Sequence, residues 1–213
     1  MENEEIIKQI NNKIILWSKE KDKLVVAIDG YTGLGKTTIL KKLVEVNPEI
    51  ISVNRDDFLF SRQEIEERLN KSKDRSSVFE REVNDDKKIE GLVNAFKNGE
   101  VSYSVFIRDS VSGKVEVKKI FDLSKRIMVI EGVFMFHPEL GLNKLWDKRI
   151  YLHGDVSRID ERRVKREKEK WGKDYFPETH PDSYFRAVTT GLKRYIDLYS
   201  PEEIADLVIK IDY

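Results

Sequence analysis

A glycine-rich segment between an apolar run and a helical pattern places the strongest constraint on how this chain can fold. Residues 30–37 read Gly-Tyr-Thr-Gly-Leu-Gly-Lys-Thr and match the pattern G-x-x-x-x-G-K-[ST] in full. The uninterrupted apolar run Leu24–Ile28 precedes the segment, and a helical pattern from Lys36 to Val46 follows it. A strand that is apolar on both faces belongs inside a parallel sheet covered by helices. The segment therefore predicts an α/β fold with a loop at the carboxyl end of a central strand.

The chemistry that this segment favours is phosphate binding. Its glycines let backbone N–H groups turn inward around phosphate oxygens, and the helix that begins at Lys36 adds its positive end. Lys36 can reach the β- and γ-phosphates, and the hydroxyl of Thr37 can ligate Mg²⁺. The predicted nucleotide-binding residues are Gly30, Thr32, Gly33, Leu34, Gly35, Lys36, Thr37 and Thr38. An ordinary Gly-rich turn is the alternative, but the strand before and the helix after favour a nucleoside triphosphate site.

Acidic residues follow two further predicted strands. Glu131 comes directly after Ile127–Ile130, and Asp56 and Asp57 come shortly after Ile50–Val53. Because the carboxyl ends of parallel strands face the ligand crevice, Glu131 is expected to hold Mg²⁺ or its water. From the residues alone, the aspartate pair is equally well a proton acceptor for a substrate hydroxyl or a helix cap.

The rest of the pattern alternates helices with strands, as α/β proteins do. Alternating residues on both sides of Ser112-Gly113 predict a β-hairpin over about 101–118, a small lobe on the sheet. The other predicted elements are an N-terminal helix within 1–22, helices over 62–100 with a loop near 72–77, a strand at 149–152, a helix at 182–199 and a strand at 205–211. We expect residues 1–213 to form a single domain.

A strongly charged helix is predicted from Asp155 to about Lys170. Its basic residues include Arg162, Arg163 and Arg166, and they alternate with acidic residues as on a solvated helix. A few of these arginines can also close over a transferring phosphoryl group, where a guanidinium stabilises developing charge.

The composition excludes several classes of protein. The chain of 213 residues has 39 basic and 39 acidic side chains, which argues against a globally basic nucleic-acid binder. It has no cysteine, so disulfide scaffolds, cysteine zinc sites and iron–sulfur clusters are excluded. No apolar run approaches the ~20 residues that span a bilayer, and the N-terminus is acidic. We expect a cytoplasmic globular protein with no membrane and no nucleic-acid partner.

Taken together, these motifs resemble the uridine kinase family of P-loop kinases, to which phosphoribulokinase and bacterial pantothenate kinase are related. The resemblance extends from about Leu24 to the C-terminus and looks nearest to the bacterial uridine-kinase-like branch. Its motifs in order are Val25–Gly30 with the phosphate loop, Arg55–Phe58, Ile130–Val133, Arg162–Glu167, and Pro201 followed by Ala205–Ile209. No later motif is specific alone, but all five in this order are.

The resemblance implies a P-loop NTPase fold with a helical lid at about 155–175 and ATP-dependent transfer of a phosphoryl group to a small-molecule hydroxyl. A pyrimidine nucleoside of the uridine or cytidine type is the usual acceptor. By position, Asp56 would be the general base, and Lys36 would act with it in catalysis. Thr37 and Glu131 would serve Mg²⁺, and Arg162, Arg163 and Arg166 would belong to the lid.

The acceptor side departs from the family pattern. Where the family usually has an aromatic-aspartate pair, the predicted hairpin reads Val-Phe-Ile-Arg-Asp at 105–109. Where a Phe-Tyr pair is common in the family, residues 58–60 read Phe-Leu-Phe, so the tyrosine hydroxyl is missing. The residues expected to bind the substrate are Asp57, Phe58, Phe106 and Arg108. Phe106 could stack on a base and Arg108 could take a polar or anionic group, although packing within the hairpin explains both equally well.

Several functions therefore remain open within and beyond this class. The acceptor could be pantothenate, nicotinamide riboside or a sugar-like compound, or the chain could be a nucleotide-binding regulator without turnover. A regulatory GTPase is disfavoured, because Asn143-Lys144-Leu145-Trp146-Asp147 misses the N-K-x-D element by one residue. The oligomeric state is not indicated.

Overall fold

A parallel sheet forms the centre of the computed structural model, which describes residues 3–172, 176–177 and 179–211. Its strands and those of a separate hairpin are β1 (Leu24–Gly30), β2 (Ile50–Asn54), β3 (Ser102–Arg108), β4 (Val115–Asp122), β5 (Ile127–Glu131), β6 (Lys148–Gly154) and β7 (Leu207–Ile211). In the described part of the chain, the five sheet strands lie in the order β2-β5-β1-β6-β7, all parallel. The predicted α/β fold is confirmed.

Helices cover this sheet, and most begin or end at residues whose chemistry explains the boundary. They are α1 (Asn3–Trp17), α2 (Lys36–Val46), α3 (Arg62–Lys71), α4 (Arg75–Arg81), α5 (Asp86–Lys97), α6 (Val156–Trp171) and α7 (Tyr184–Tyr199). The predicted bounds of α2 are those observed. It starts after Gly35, which has a left-handed φ of 79°, and ends at Val46, with Asn47 as the C-cap just before Pro48.

Three predicted boundaries are wrong by several residues. Helix α1 ends at Trp17 rather than near residue 22, because the polar run that follows offers no side chain to the core. The loop near 72–77 is shorter than predicted, since Asp74 accepts hydrogen bonds from the N–H groups of Ser76 and Ser77 and starts α4. The hairpin continues to Asp122 because Phe121 packs inward.

Other predictions shift by one or two residues or fall outside the described chain. Asp155 and Ser183 cap α6 and α7, so both helices start one residue after their caps. Residues 173–175 of the expected lid lie outside the described residues.

An ion-pair cluster joins α4 to α7 beside the carboxyl edge of the sheet. Arg194 of α7 donates to Asp74 at 2.8 Å and, through Nε, to the buried carboxylate of Glu80 at 3.0 Å. The hydroxyl of Ser76 and the guanidinium of Arg194 hold the pKa of Asp74 down at about 2. The two helices are therefore tied together at one wall of the cleft described below.

This cluster gives a pH dependence that can be measured. Because the pKa of Asp74 falls from its ordinary 3.8 to about 2 on folding, its contribution to stability is present above pH 3.8 and disappears as the pH falls through about 2. Asp74→Asn keeps a good N-cap but removes the charge. We expect the variant to unfold more easily than the wild type at pH 6 and to approach it at pH 2.5 in chemical denaturation.

The control is Asp197→Asn, which removes an exposed carboxylate from α7. If Asp74→Asn and the wild type differed in free energy of unfolding by the same amount at both pH values, the charge of Asp74 would not be the cause of the difference.

Gly132 fits closely against Arg55 where β5 ends. A Cβ added at Gly132 would lie 2.8 Å from the Cβ of Arg55 and 2.9 Å from the Sδ of Met135. Arg55 is itself buried, and its guanidinium donates to the carbonyl of Val133 at 2.6 Å and to Asp86 at 3.1 Å. The ends of β2 and β5 are therefore packed too tightly to accept another methyl group.

Gly132→Ala should lower the free energy of unfolding by about 1–3 kcal/mol, the usual cost of overpacking. Gly141→Ala is the matched control, because a Cβ there meets no atom within 4 Å. Urea denaturation of both variants checks this. Equal free energies of unfolding for the two would show that Arg55 and Met135 can move aside without loss of stability.

Candidate active site at the carboxyl edge of the sheet

The phosphate loop connects β1 to α2 and has the backbone that its glycines predict. Gly30, Gly33 and Gly35 all have positive φ angles. A Cβ at Gly33 would lie 3.0 Å from the Cγ2 of Ile159 and 3.1 Å from the Cγ of Arg163, both on α6. The loop is therefore packed directly beneath the charged helix.

Lys36 occupies the centre of this loop. Its side chain is 7% exposed, and its Nζ donates to the carbonyl oxygens of Gly30 at 2.7 Å and Tyr31 at 3.0 Å. Burial lowers the pKa of the ammonium group, while the carboxylates of Asp29, Glu131 and Asp56 act in the opposite direction. The fold thus holds a desolvated amine where the pattern predicts phosphate.

Thr37 and Glu131 meet beside Lys36. The hydroxyl of Thr37 donates to Oε1 of Glu131 at 2.7 Å. Glu131 lies at the end of β5, opposite Ile28 of β1 and Asn54 of β2, and it is almost fully buried. Burial raises the pKa of its carboxyl, and the hydrogen bond from Thr37 opposes this rise.

These two oxygens suit Mg²⁺, which takes hard oxygen ligands and usually has only one or two from the protein. Within the described residues, no three His, Cys, Asp or Glu side chains form a ready-made metal cage. The donor set therefore fits a magnesium ion that would take its remaining ligands from phosphates and water.

A buried acid beneath the loop was missed by the sequence analysis. Asp29 is fully buried, accepts from the N–H of Gly30 at 2.7 Å and from the hydroxyl of Tyr195 at 2.6 Å, and its pKa is raised by burial. A charged residue inside an apolar strand pattern could have revealed Asp29. Nothing in the pattern reveals Tyr195, which is 166 residues away along the chain.

Asp56 faces the cleft from a short 3₁₀ helix, Arg55–Phe58, that follows β2. Asn54 fixes the turn, because its side-chain oxygen accepts from the N–H of Asp56 at 2.9 Å. The carboxyl group is open to water, yet the surrounding protein removes part of its hydration and raises its pKa, against the opposing charges of Lys36 and Arg55.

Three residues expected to bind the substrate do not line the cleft. Asp57 turns away and forms an ion pair with Lys119 of β4 at 2.7 Å. Phe58 is buried and stacks on Phe121 with ring centroids 6.3 Å apart. Phe106 lies on the exposed side of the hairpin, because inward and outward positions alternate along β3.

The arginines expected in the lid have different environments on α6. Arg166 lines the cleft. Arg163 is buried, where it donates to Asp160 at 2.7 Å and to Thr189 at 3.1 Å, and its guanidinium lies 4.2 Å from the ring centre of Phe185. Arg162 is exposed and outside the cleft lining. Arg163 therefore fixes α6 on the rest of the fold instead of facing the cleft.

One cleft of about 620 Å³ contains the parts of the site that converge. Its lining includes phosphate-loop residues with Lys36 and Thr37, the strand-end carboxylate of Glu131, and Asp56. Further lining residues come from other elements and from the segments next to them: Leu59, Arg62, Ile65, Phe79, Val83, Asn84, Arg108, Tyr184 and Val188. The rings of Phe79 and Tyr184 meet edge to face at 5.4 Å. The loop predicted to bind phosphate and side chains from α3, α4, α7 and the hairpin therefore line the same cleft.

Comparison with known proteins agrees with this architecture. Residues 25–210 match the model of the Phosphoribulokinase / Uridine kinase family. A uridine kinase from Borrelia garinii subsp. bavariensis is 28% identical over 188 residues, which cover 87% of this chain and 85% of that protein.

Solved structures resemble the fold at lower identity. A possible uridine kinase from Bacillus stearothermophilus has a TM-score of 0.70 at 19% identity, covering 98% of this chain and 100% of its own. Phosphoribulokinase from Rhodobacter spheroides has a TM-score of 0.59 at 12% identity, covering 90% of this chain and 72% of its own.

Among the described helices, none combines the length and apolar character needed to cross a membrane. With its phosphate loop, its strand-end carboxylates and its matching family model, the chain belongs to the phosphoribulokinase / uridine kinase family.

Proposed function

We propose that this protein is a kinase that transfers the γ-phosphoryl group of ATP to a hydroxyl group of a small molecule. The observation that carries the proposal is that Asp56 lines the same cleft as the phosphate loop and as side chains from α3, α4, α7 and the hairpin. A group that activates a hydroxyl must be within reach of both the acceptor and the phosphates. The alternative of a nucleotide-binding regulator without turnover leaves this arrangement unexplained.

Asp56 is proposed as the general base. Its carboxylate can accept the hydrogen bond of the attacking hydroxyl and orient an oxygen lone pair towards the phosphoryl group. Partial dehydration raises the pKa of Asp56, which makes the carboxylate a better proton acceptor than an aspartate in water.

Lys36 and Arg166 are proposed to neutralise charge on the transferring group. Lys36 follows the last glycine of the loop, and Arg166 of α6 lines the same cleft. Cations placed around a phosphoryl group stabilise the charge that develops on its oxygens in the transition state. Thr32, Thr38 and the loop N–H groups would hold the remaining phosphate oxygens.

Thr37 and Glu131 are the residues that would hold Mg²⁺. When bound there, Mg²⁺ would supply positive charge that offsets the negative charge of the phosphates. The hydroxyl of Thr37 donates to Glu131, so the two side chains hold each other in place.

The names of the relatives favour a nucleoside of the uridine or cytidine type as the acceptor to test first. Phe79 and Tyr184 supply an aromatic wall on which a base could stack. Pantothenate, nicotinamide riboside and sugars follow as alternative acceptors, since the residues expected to recognise a nucleoside, Phe58 and Phe106, lie outside the cleft lining.

Asp56→Asn should retain ATP binding and reduce kcat by about 10²–10⁴-fold, because the amide cannot accept the hydroxyl proton. The measurement is phosphoryl transfer to the acceptor that gives the largest turnover, together with calorimetric binding of an ATP analogue. Asp57→Asn is the matched control, since Asp57 pairs with Lys119 away from the cleft and its loss should have little effect on kcat. Equal activity of Asp56→Asn and wild type would remove Asp56 from the role of base.

Glu131→Gln should raise the Mg²⁺ concentration needed for half-maximal activity by about 10–100-fold. The amide oxygen can still accept the hydrogen bond from Thr37, so the fold should be kept while the charge is lost. Glu45→Gln, on the exposed side of α2, serves as control. A magnesium titration that is the same for both variants would exclude Glu131 from metal binding.

A further inference from the structure

Two guanidinium groups line the acceptor half of the cleft without a carboxylate partner. Arg62 begins α3 and Arg108 ends β3, and both contribute to the cleft wall. Among the residues that the structure describes, neither side chain forms an ion pair with an Asp or Glu. Neighbouring arginines do have such partners, for example Arg55 with Asp86 and Arg194 with Glu80.

Arg108 is the more shielded of the two. Its Nε is buried and donates to no acceptor among the described residues. Burial lowers the pKa of its guanidinium, and the nearby charge of Arg62 lowers it further. An unpaired donor and a like charge both cost free energy, and an anion bound to Arg108 would relieve both.

The hairpin turn keeps Arg62 near Arg108. The N–H of Arg62 donates to the carbonyl of Gly113 at 2.8 Å, and a Cβ at Gly113 would lie 3.1 Å from the Cβ and 3.2 Å from the Nε of Arg62. Arg108 lies on the strand that enters the same turn. Arg62 on α3 and Arg108 on β3 are therefore kept close together by the contact between α3 and the hairpin turn.

The charge of Asp56 acts both on Arg108 of this pair and on Lys36. The charged groups that act on Arg108 are Arg62 and Asp56. The groups that act most strongly on Lys36 are Asp29, Glu131, Asp56 and Arg163. Asp56 belongs to both sets and lines the same cleft as Lys36, Arg62 and Arg108, so its carboxylate lies near the phosphate loop and near the arginine pair.

We propose that the phosphoryl acceptor carries an anionic group, a carboxylate or a phosphate, which Arg62 and Arg108 bind while Asp56 faces the hydroxyl that is phosphorylated. This inference rests on the proposed kinase function and specifies its substrate class. Guanidinium groups bind either anion through paired N–H donors, so the chemistry that both share is the negative charge and its acceptor oxygens. An uncharged nucleoside would leave both arginines without a partner.

The test compares matched charged and neutral compounds: D-glycerate with glycerol, pantothenate with panthenol, ribose 5-phosphate with ribose, and uridine 3′-monophosphate with uridine. Each is added to the protein with Mg²⁺ and a non-hydrolysable ATP analogue, which occupies the phosphate loop, and the Tm is measured. We expect at least one charged member to raise the Tm more than its neutral counterpart. The carboxylate and phosphate pairs then show which anion is preferred.

Variants assign the effect to the arginine pair. Arg108→Gln and Arg62→Gln should weaken binding of the charged compound by about 10–100-fold and leave binding of the ATP analogue unchanged. Arg108→Lys should retain part of the affinity for the charged compound, because it keeps the positive charge. Lys118→Gln removes an exposed cation from β4 of the same hairpin and should behave as the wild type.

The inference is overturned if neutral compounds bind as well as charged ones, if no charged compound binds, or if the effect persists in both glutamine variants. Failure of the kinase function itself has a different signature. In that case, no compound, including those that bind, increases the rate at which ATP is converted to ADP.

Discussion

The buried ammonium group of Lys36 is the constraint on which the rest of the site depends. A lysine removed from water keeps its charge only where oxygen atoms and negative charges surround it. Two loop carbonyls supply the hydrogen bonds, and three carboxylates supply the field. These acids, Asp29, Glu131 and Asp56, come from β1, from β5 and from the turn after β2, which are neighbouring strands. The order of the strands therefore assembles the site around one side chain.

The same arrangement divides the cleft into two chemical environments. Near Lys36, loop N–H groups, a hydroxyl and a buried carboxylate suit phosphate and a hard cation. Beyond Asp56, apolar and aromatic side chains lie beside Arg62 and Arg108, a combination that suits an organic molecule with a charged end. Asp56 belongs to both environments because its charge is felt by Lys36 and by Arg108. In the proposed reaction, this single carboxylate links nucleotide and acceptor.

Local signals in the sequence were enough to predict the fold and the course of the loop between β1 and α2. The loop pattern and the apolar runs 24–28 and 127–130 are contiguous, so their structure follows from neighbouring residues. The acceptor half could not be predicted in this way, because it is built from α3, α4, α7 and the hairpin, which meet only in three dimensions. Phe58 illustrates why local sequence was not enough. It lies two residues from Asp56, but its ring packs on Phe121 in the core instead of facing the cleft.

The proposed kinase function requires one cleft to bring a nucleotide and a hydroxyl acceptor together at Asp56. The rate of ADP formation by the wild-type protein, with and without each member of a panel of small hydroxyl compounds, tests this most directly. We expect slow ATP hydrolysis alone and an increase of about 100-fold or more with one class of acceptor, with one phosphorylated product formed per ADP. ADP formation that no acceptor accelerates, or that yields only inorganic phosphate, would contradict it.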